Sequence, residues 1–171
     1  LVTGVLASFG IYGWLFEVPS FDLRHAAVLA LYVGTYPAIW AGATAWATRR
    51  NIPLLVCAPV LWLLIDYLRG HAGFLALPWG TLAQTQHHNL PLLQTASLIG
   101  EHGVTFLVAS GNAMLASLWL KQEQRLATAA LLILITAHAW GATELSFPTS
   151  GGSITVAAVQ PNIQIGERTT E

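Results

Sequence analysis

Long apolar runs dominate this chain, and its polar residues fall in short clusters between them. Leu1 to Phe16 carries no charge. Ala26 to Thr48 gives 23 uncharged residues, with Pro37 as an expected kink. Ile52 to Leu68 stays apolar until Asp66, Gly103 to Leu120 forms a fourth run, and Leu126 to Thr143 a fifth, between Arg125 and Glu144. A helix crossing a bilayer needs about 20 apolar residues, or about 17 at the short end. The pattern therefore predicts an all-α polytopic membrane bundle of about five transmembrane helices, the first of them truncated. Any one run would also suit the buried helix of a soluble protein, but five in 171 residues leave no soluble surface.

Two stretches break the pattern. Residues 70–100, "GHAGFLALPWGTLAQTQHHNLPLLQTASLIG", mix glycines, Pro78 and Pro91 with Gln84, Gln86, His87, His88, Asn89 and Gln94 among leucines. Irregular backbone cannot face lipid tails, because its N–H and C=O groups would go unpaired. This stretch is expected at the membrane interface, or re-entrant under cover of protein, with Phe74 and Trp79 at headgroup level. The second break is Ile154 to Gln160, short and β-branched, between "TSGGS" and "PN". It predicts one buried β-strand, ended by Gln160, Pro161 and Asn162. Residues 1–145 thus read as a helical membrane domain and 146–171 as the start of another domain.

Composition agrees with the pattern. The chain is 54% hydrophobic and 9% charged, against a usual charged share of about a quarter. A net charge of −1 leaves no basic footprint for nucleic acid. Leu1 in place of Met, with no basic leader, gives the expectation of a fragment missing both ends. The cations suggest an orientation. Arg49 and Arg50 lie in one short connection and Lys121 and Arg125 in another, while Arg24 and Arg69 fall on the opposite side. The positive-inside rule places 49–51 and 121–125 in the cytoplasm and everything after Thr143 outside it.

"DYLRGHAGFLALPWGTLAQTQ", then "LLQTASLIGEHGVTFLVASGNAMLA" and, one run later, "ITVAAVQPNIQ" together resemble bacterial apolipoprotein N-acyltransferase. The opening "GVLASFGIYGWLFEV" is similar to the small-residue span that precedes these motifs in that family. Asp66 stands where the family commonly has Glu, and "LAL" separates Gly73-Phe74 from Pro78-Trp79. The resemblance implies that Ile154–Gln160 is the first strand of a truncated extracytoplasmic α/β nitrilase-like domain. It implies a multi-pass protein of the bacterial cytoplasmic membrane, monomeric, that takes an acyl chain from phospholipid and passes it to a lipid-modified apolipoprotein. No cofactor and no metal is implied. The family's catalytic Glu, Lys and Cys belong beyond residue 171, so no catalytic residue is assigned here and the chain alone is expected to be inactive.

The substrate-binding candidates are Asp66, Arg69 and Trp79. Asp66 and Arg69, three apart on a helix, share a face and can pair. They serve either as an interfacial anchor, with Arg69 reaching towards headgroups, or as a brace or phosphate contact in a lipid groove. Trp79 reads as an interfacial belt residue or a substrate contact. Cys57 lies mid-run, where a thiolate would be desolvated, and is expected to pack rather than react. His71, His87, His88 and His102 have no Cys or carboxylate at ligand spacing. Glu101 reads as a first-turn helix charge. Two other classes stay open, a transporter subunit and a plain anchor for an external domain. The lack of a central Asp, Glu, Lys or Arg in any span argues against the first. The length of the polar interfacial stretch argues against the second.

Overall fold

The computed structural model describes residues 1–147 and 155–160. Its helices are α1 (Val2–Tyr12), α2 (Leu23–Arg49), α3 (Leu54–Gly70), α4 (Leu90–Gln94), α5 (Ala96–Trp119) and α6 (Gln124–Ser146). A 3₁₀ turn at Gly13–Glu17 extends α1, and two more, Gly73–Leu75 and Gln84–Gln86, punctuate the connection from α3 to α4. Each of the five apolar runs is helical. Of the five expected spans, however, two are long and apolar enough to cross a membrane, α2 and α6. Pro53 and His71 bound α3 at 17 residues, and α1 ends after 11. The longer α5 is broken at Gly100, where φ is +68°, so the helix that matches the fourth run starts at Glu101.

The expected strand is not observed. Thr155–Gln160 has no regular structure and is exposed, Val159 by 86%, while Ile154 and residues 161–171 lie outside the described residues. A strand is held by a ladder of partners, and no strand occurs among the described residues to supply one.

Small side chains fill the contacts between helices. Gly4 of α1 meets Gly34 and Pro37 of α2 so closely that a Cβ on Gly4 would stand 2.7 Å from the Pro37 ring. Ala58 of α3, Ala113 and Met114 of α5 and Ala127 of α6 form one buried cluster. Large apolar side chains point outward instead, Ile39, Leu132 and Ile133 among them, each more than half exposed. Small residues inside and large apolar ones outside suit lipid rather than water, because tight backbone approach, not hydrophobic burial, drives helix association there. Exposed tryptophans mark both ends: Trp14 and Trp79 at one, Trp46 and Trp119 at the other. The Arg50 guanidinium lies 5.2 Å from the Trp46 ring centre. Along α2 the two belts are roughly 30 Å apart, about the thickness of a hydrocarbon core.

At the Trp46 end, one carboxylate joins two connections. Glu123, in a left-handed conformation before α6, accepts the N–H groups of Leu54 (2.6 Å) and Leu55 (3.0 Å) at the start of α3. Those N–H groups have no partner within α3, and the helix dipole favours an anion there. Glu123→Ala is expected to cost about 1–2 kcal/mol, read as a lower melting midpoint of the detergent-solubilised protein. An unchanged midpoint would show the contact to be dispensable.

Candidate functional site

The opposite end gathers the polar side chains around the last turn of α3. Asp66 and Arg69 sit one turn apart, and Nη2 of Arg69 donates to Oδ1 of Asp66 at 2.7 Å. Both residues are only 7% exposed, so the guanidinium is turned into the bundle instead of reaching towards headgroups. It lies beside the Tyr12 hydroxyl of α1, and that hydroxyl donates to the Trp79 carbonyl at 3.0 Å. The Arg69 carbonyl accepts the Leu77 N–H at 3.0 Å. Tyr36 donates to Tyr32 at 2.7 Å, and Tyr32 donates to the Leu75 carbonyl. Residues 75–79, irregular and needing partners for their backbone, are thereby pinned to α1, α2 and α3.

The turn that follows is fixed just as locally. Gly80 has φ +71°, and a Cβ there would stand 3.2 Å from both Ile11 and the Tyr12 hydroxyl. Its N–H is accepted by Gln84 Oε1 at 2.8 Å. Thr81 donates to Glu101 Oε1 at 2.6 Å. Glu101 thus stands at the start of the main part of α5, as its first-turn position suggests, and also holds the turn.

Trp79 is half-exposed, 6.1 Å from Trp14 between ring centres. It forms one wall of an open groove of about 660 Å³ between α1, the start of α2 and residues 75–79. Leu15, Phe21, Val28, Leu29 and Leu77 supply the other walls, and Arg24 the charge at its edge. The groove falls within the roughly 300–1,000 Å³ of ordinary small-molecule sites. Its apolar lining and its place beside the tryptophan belt suit a hydrocarbon chain.

Residues 1–114 match the family described as the apolipoprotein N-acyltransferase N-terminal domain. The chain belongs to that family. Among similar proteins, the apolipoprotein N-acyltransferase of Geobacter metallireducens is 30% identical over 95% of this chain and 32% of its own length. That of Shewanella oneidensis is 38% identical over 80% of this chain and 27% of its own. That of Chromobacterium violaceum is 33% identical over 90% and 31%. The chain therefore spans about a third of the length of the curated relatives it matches. No solved structure matches it.

Within this apolipoprotein N-acyltransferase domain the remaining candidates lie apart from the groove. Cys57 is buried in α3, its Sγ 3.9 Å from the Leu54 carbonyl. His71 and His102 both pack on Tyr67, and the His87 and His88 rings lie 3.9 Å apart between centres, tilted at 47°. Among the described residues no three of His, Cys, Asp or Glu come together as metal ligands. His138 ties α6 to the irregular stretch: its Nδ1 lies 2.8 Å from the Leu134 carbonyl, and its Nε2 lies 3.1 Å from the Asn89 amide.

Reading the sequence for charged and aromatic candidates finds Asp66, Arg69 and Trp79 but passes over Tyr12, Tyr32 and Tyr36. A signal was present: a tyrosine inside an apolar run must find a partner for its hydroxyl, and Tyr32 and Tyr36 sit four apart on one helix face.

Proposed function

We propose that this chain is the membrane part of an acyltransferase that moves a fatty acyl chain from phospholipid to the N-terminal cysteine amine of apolipoproteins. The observation that carries this reading, beside family membership, is the apolar groove walled by Trp79. In the proposed reaction a thiolate attacks a phospholipid ester carbonyl, lysophospholipid leaves, and a thioester forms. The acceptor amine then attacks the thioester and the thiolate leaves. Carboxylate and lysine neighbours activate the thiol and stabilise the oxyanion. We place these groups outside residues 1–171, since the single cysteine, Cys57, is buried among apolar side chains; the chain alone is then inactive.

In this reading residues 1–145 form the membrane domain and 146–171 begin an extracytoplasmic one. Arg49, Arg50, Lys121 and Arg125 face the cytoplasm, as the positive-inside rule favours, and the groove opens on the other side. The protein acts as a monomer in the bacterial cytoplasmic membrane. Trp79 holds the acyl chain in the ground state and takes no part in the thiol chemistry. Trp79→Ala in the full-length enzyme is therefore expected to raise the phospholipid concentration for half-maximal thioester formation about fivefold, on the order of 1 kcal/mol. The rate at saturating phospholipid stays near that of the parent. A lowered saturating rate with unchanged half-saturation would remove Trp79 from the substrate site.

A further inference from the structure

We infer that Arg24, and not Arg69, is the residue that takes the phosphate of a glycerophospholipid whose acyl chain fills the groove; this rests on the groove being the donor site. Two cations stand near that end of the bundle, and their surroundings differ. Arg69 is buried and its guanidinium is engaged with Asp66. Arg24 is exposed at the edge of the groove, and its guanidinium takes part in neither ion pair found among the described residues.

The nearest carboxylate in the chain does not neutralise Arg24, because it is occupied elsewhere. Asp22 caps α2, accepting the backbone N–H groups of Arg24 (2.9 Å) and His25 (3.1 Å). It also meets the His25 ring at 2.8 Å. The His25 N–H, with further help from the Arg24 N–H and the imidazole, holds this carboxyl below the usual carboxylate range despite opposing desolvation. The cap fixes where α2 begins, and so fixes the first-turn position from which Arg24 reaches the groove.

Depth and charge then select the occupant. Beside Arg24 the groove is lined mainly by apolar side chains, Phe21, Val28, Leu29 and Leu77 among them, with Tyr12, Tyr32 and His25 as the other polar-bearing walls. Trp79 is of the type that sits at headgroup level. A ligand that satisfies the site has a hydrocarbon body and one anionic group at its interfacial end. Arginine offers a forked donor to such a phosphate. A diacylglycerol has the chains without the charge and lacks this contact.

The test is phospholipid retention by the full chain, extracted in mild detergent and examined by native mass spectrometry, with added phosphatidylglycerol or diacylglycerol as probes. The parent should retain one phosphatidylglycerol and little diacylglycerol. Arg24→Leu should cut phosphatidylglycerol retention at least fivefold, with Arg24→Lys recovering part of it. Arg125→Leu, which removes a cation at the far end, should leave it unchanged. Val28→Trp, which fills the groove, should abolish it. Unaltered retention in Arg24→Leu alongside loss in Val28→Trp would overturn the assignment of Arg24 and leave the groove standing. Unaltered retention in Val28→Trp would overturn the groove itself, and equal loss in Arg125→Leu would show only loosely held surface lipid.

Discussion

Arg69→Met is expected to lower the stability of this protein by about 3–5 kcal/mol, because it strands the Asp66 carboxylate in the bundle without its counter-charge. Both side chains are almost wholly buried; Arg69 bonds Asp66 Oδ1, and among the described residues Oδ2 has no hydrogen-bond partner. For a chain of this size the loss corresponds to a fall of about 10 °C in the melting midpoint, measurable in detergent micelles by the fluorescence of its tryptophans. The double variant Asp66→Leu/Arg69→Met removes both charges and should recover most of the loss, since a buried pair costs nearly as much to desolvate as it returns. A single variant that melts within about 2 °C of the parent would show that the pair braces nothing. The same experiment separates bracing from lipid contact. Residues 75–79 hang from the Arg69 main-chain carbonyl and the Tyr12 hydroxyl, which the substitution leaves in place, so Arg69→Met should disturb the groove only along with the fold.

Gly141→Ala is the second large effect. Gly141 of α6 packs directly on the Pro91 backbone at the start of α4, and an added methyl would overlap the Pro91 carbonyl oxygen. Backbone cannot rotate aside as a side chain can, so α4 must lift away from α6. Overpacking of this kind costs about 3 kcal/mol. Leu92 and Leu93, which follow Pro91 and pack with Val104, Leu107 and Ala137, would be displaced with it. Gly111→Ala is the natural comparison, since a Cβ there meets only Leu134 at an ordinary 3.4 Å. It should melt near the parent. Equal melting of the two variants would sink the close-packing argument.

Much of the architecture was legible in the residues. The five apolar runs, the short cation-bearing connections and the polar, proline-bearing stretch after Arg69 located the helices to within a few residues, because each rests on a local rule of length or backbone satisfaction. The main exception was the start of α5, which the helical turn before Gly100 moved forward. The pairing of Asp66 with Arg69 was legible too, since residues three apart on a helix are neighbours. The direction in which the pair points was not. Ile154–Gln160 had the composition of a strand, but composition cannot supply a ladder partner.

What the sequence determined by itself is therefore where helices run, which of their ends carry cations, and that their exteriors are apolar. Only the tertiary structure decided that Arg69 turns inward while Arg24 stays exposed and outside both ion pairs of the described residues. It alone brought Glu123 to the start of α3 and set two tyrosine hydroxyls, Tyr12 and Tyr32, as pins for residues 75–79, with Tyr36 donating to Tyr32. The reason is physical. In a water-soluble helix the polar stripe shows which face is outside. In a helix bathed in lipid both faces are apolar, so its rotation is set by where small residues let backbones meet and where a lone polar group finds its partner in another helix.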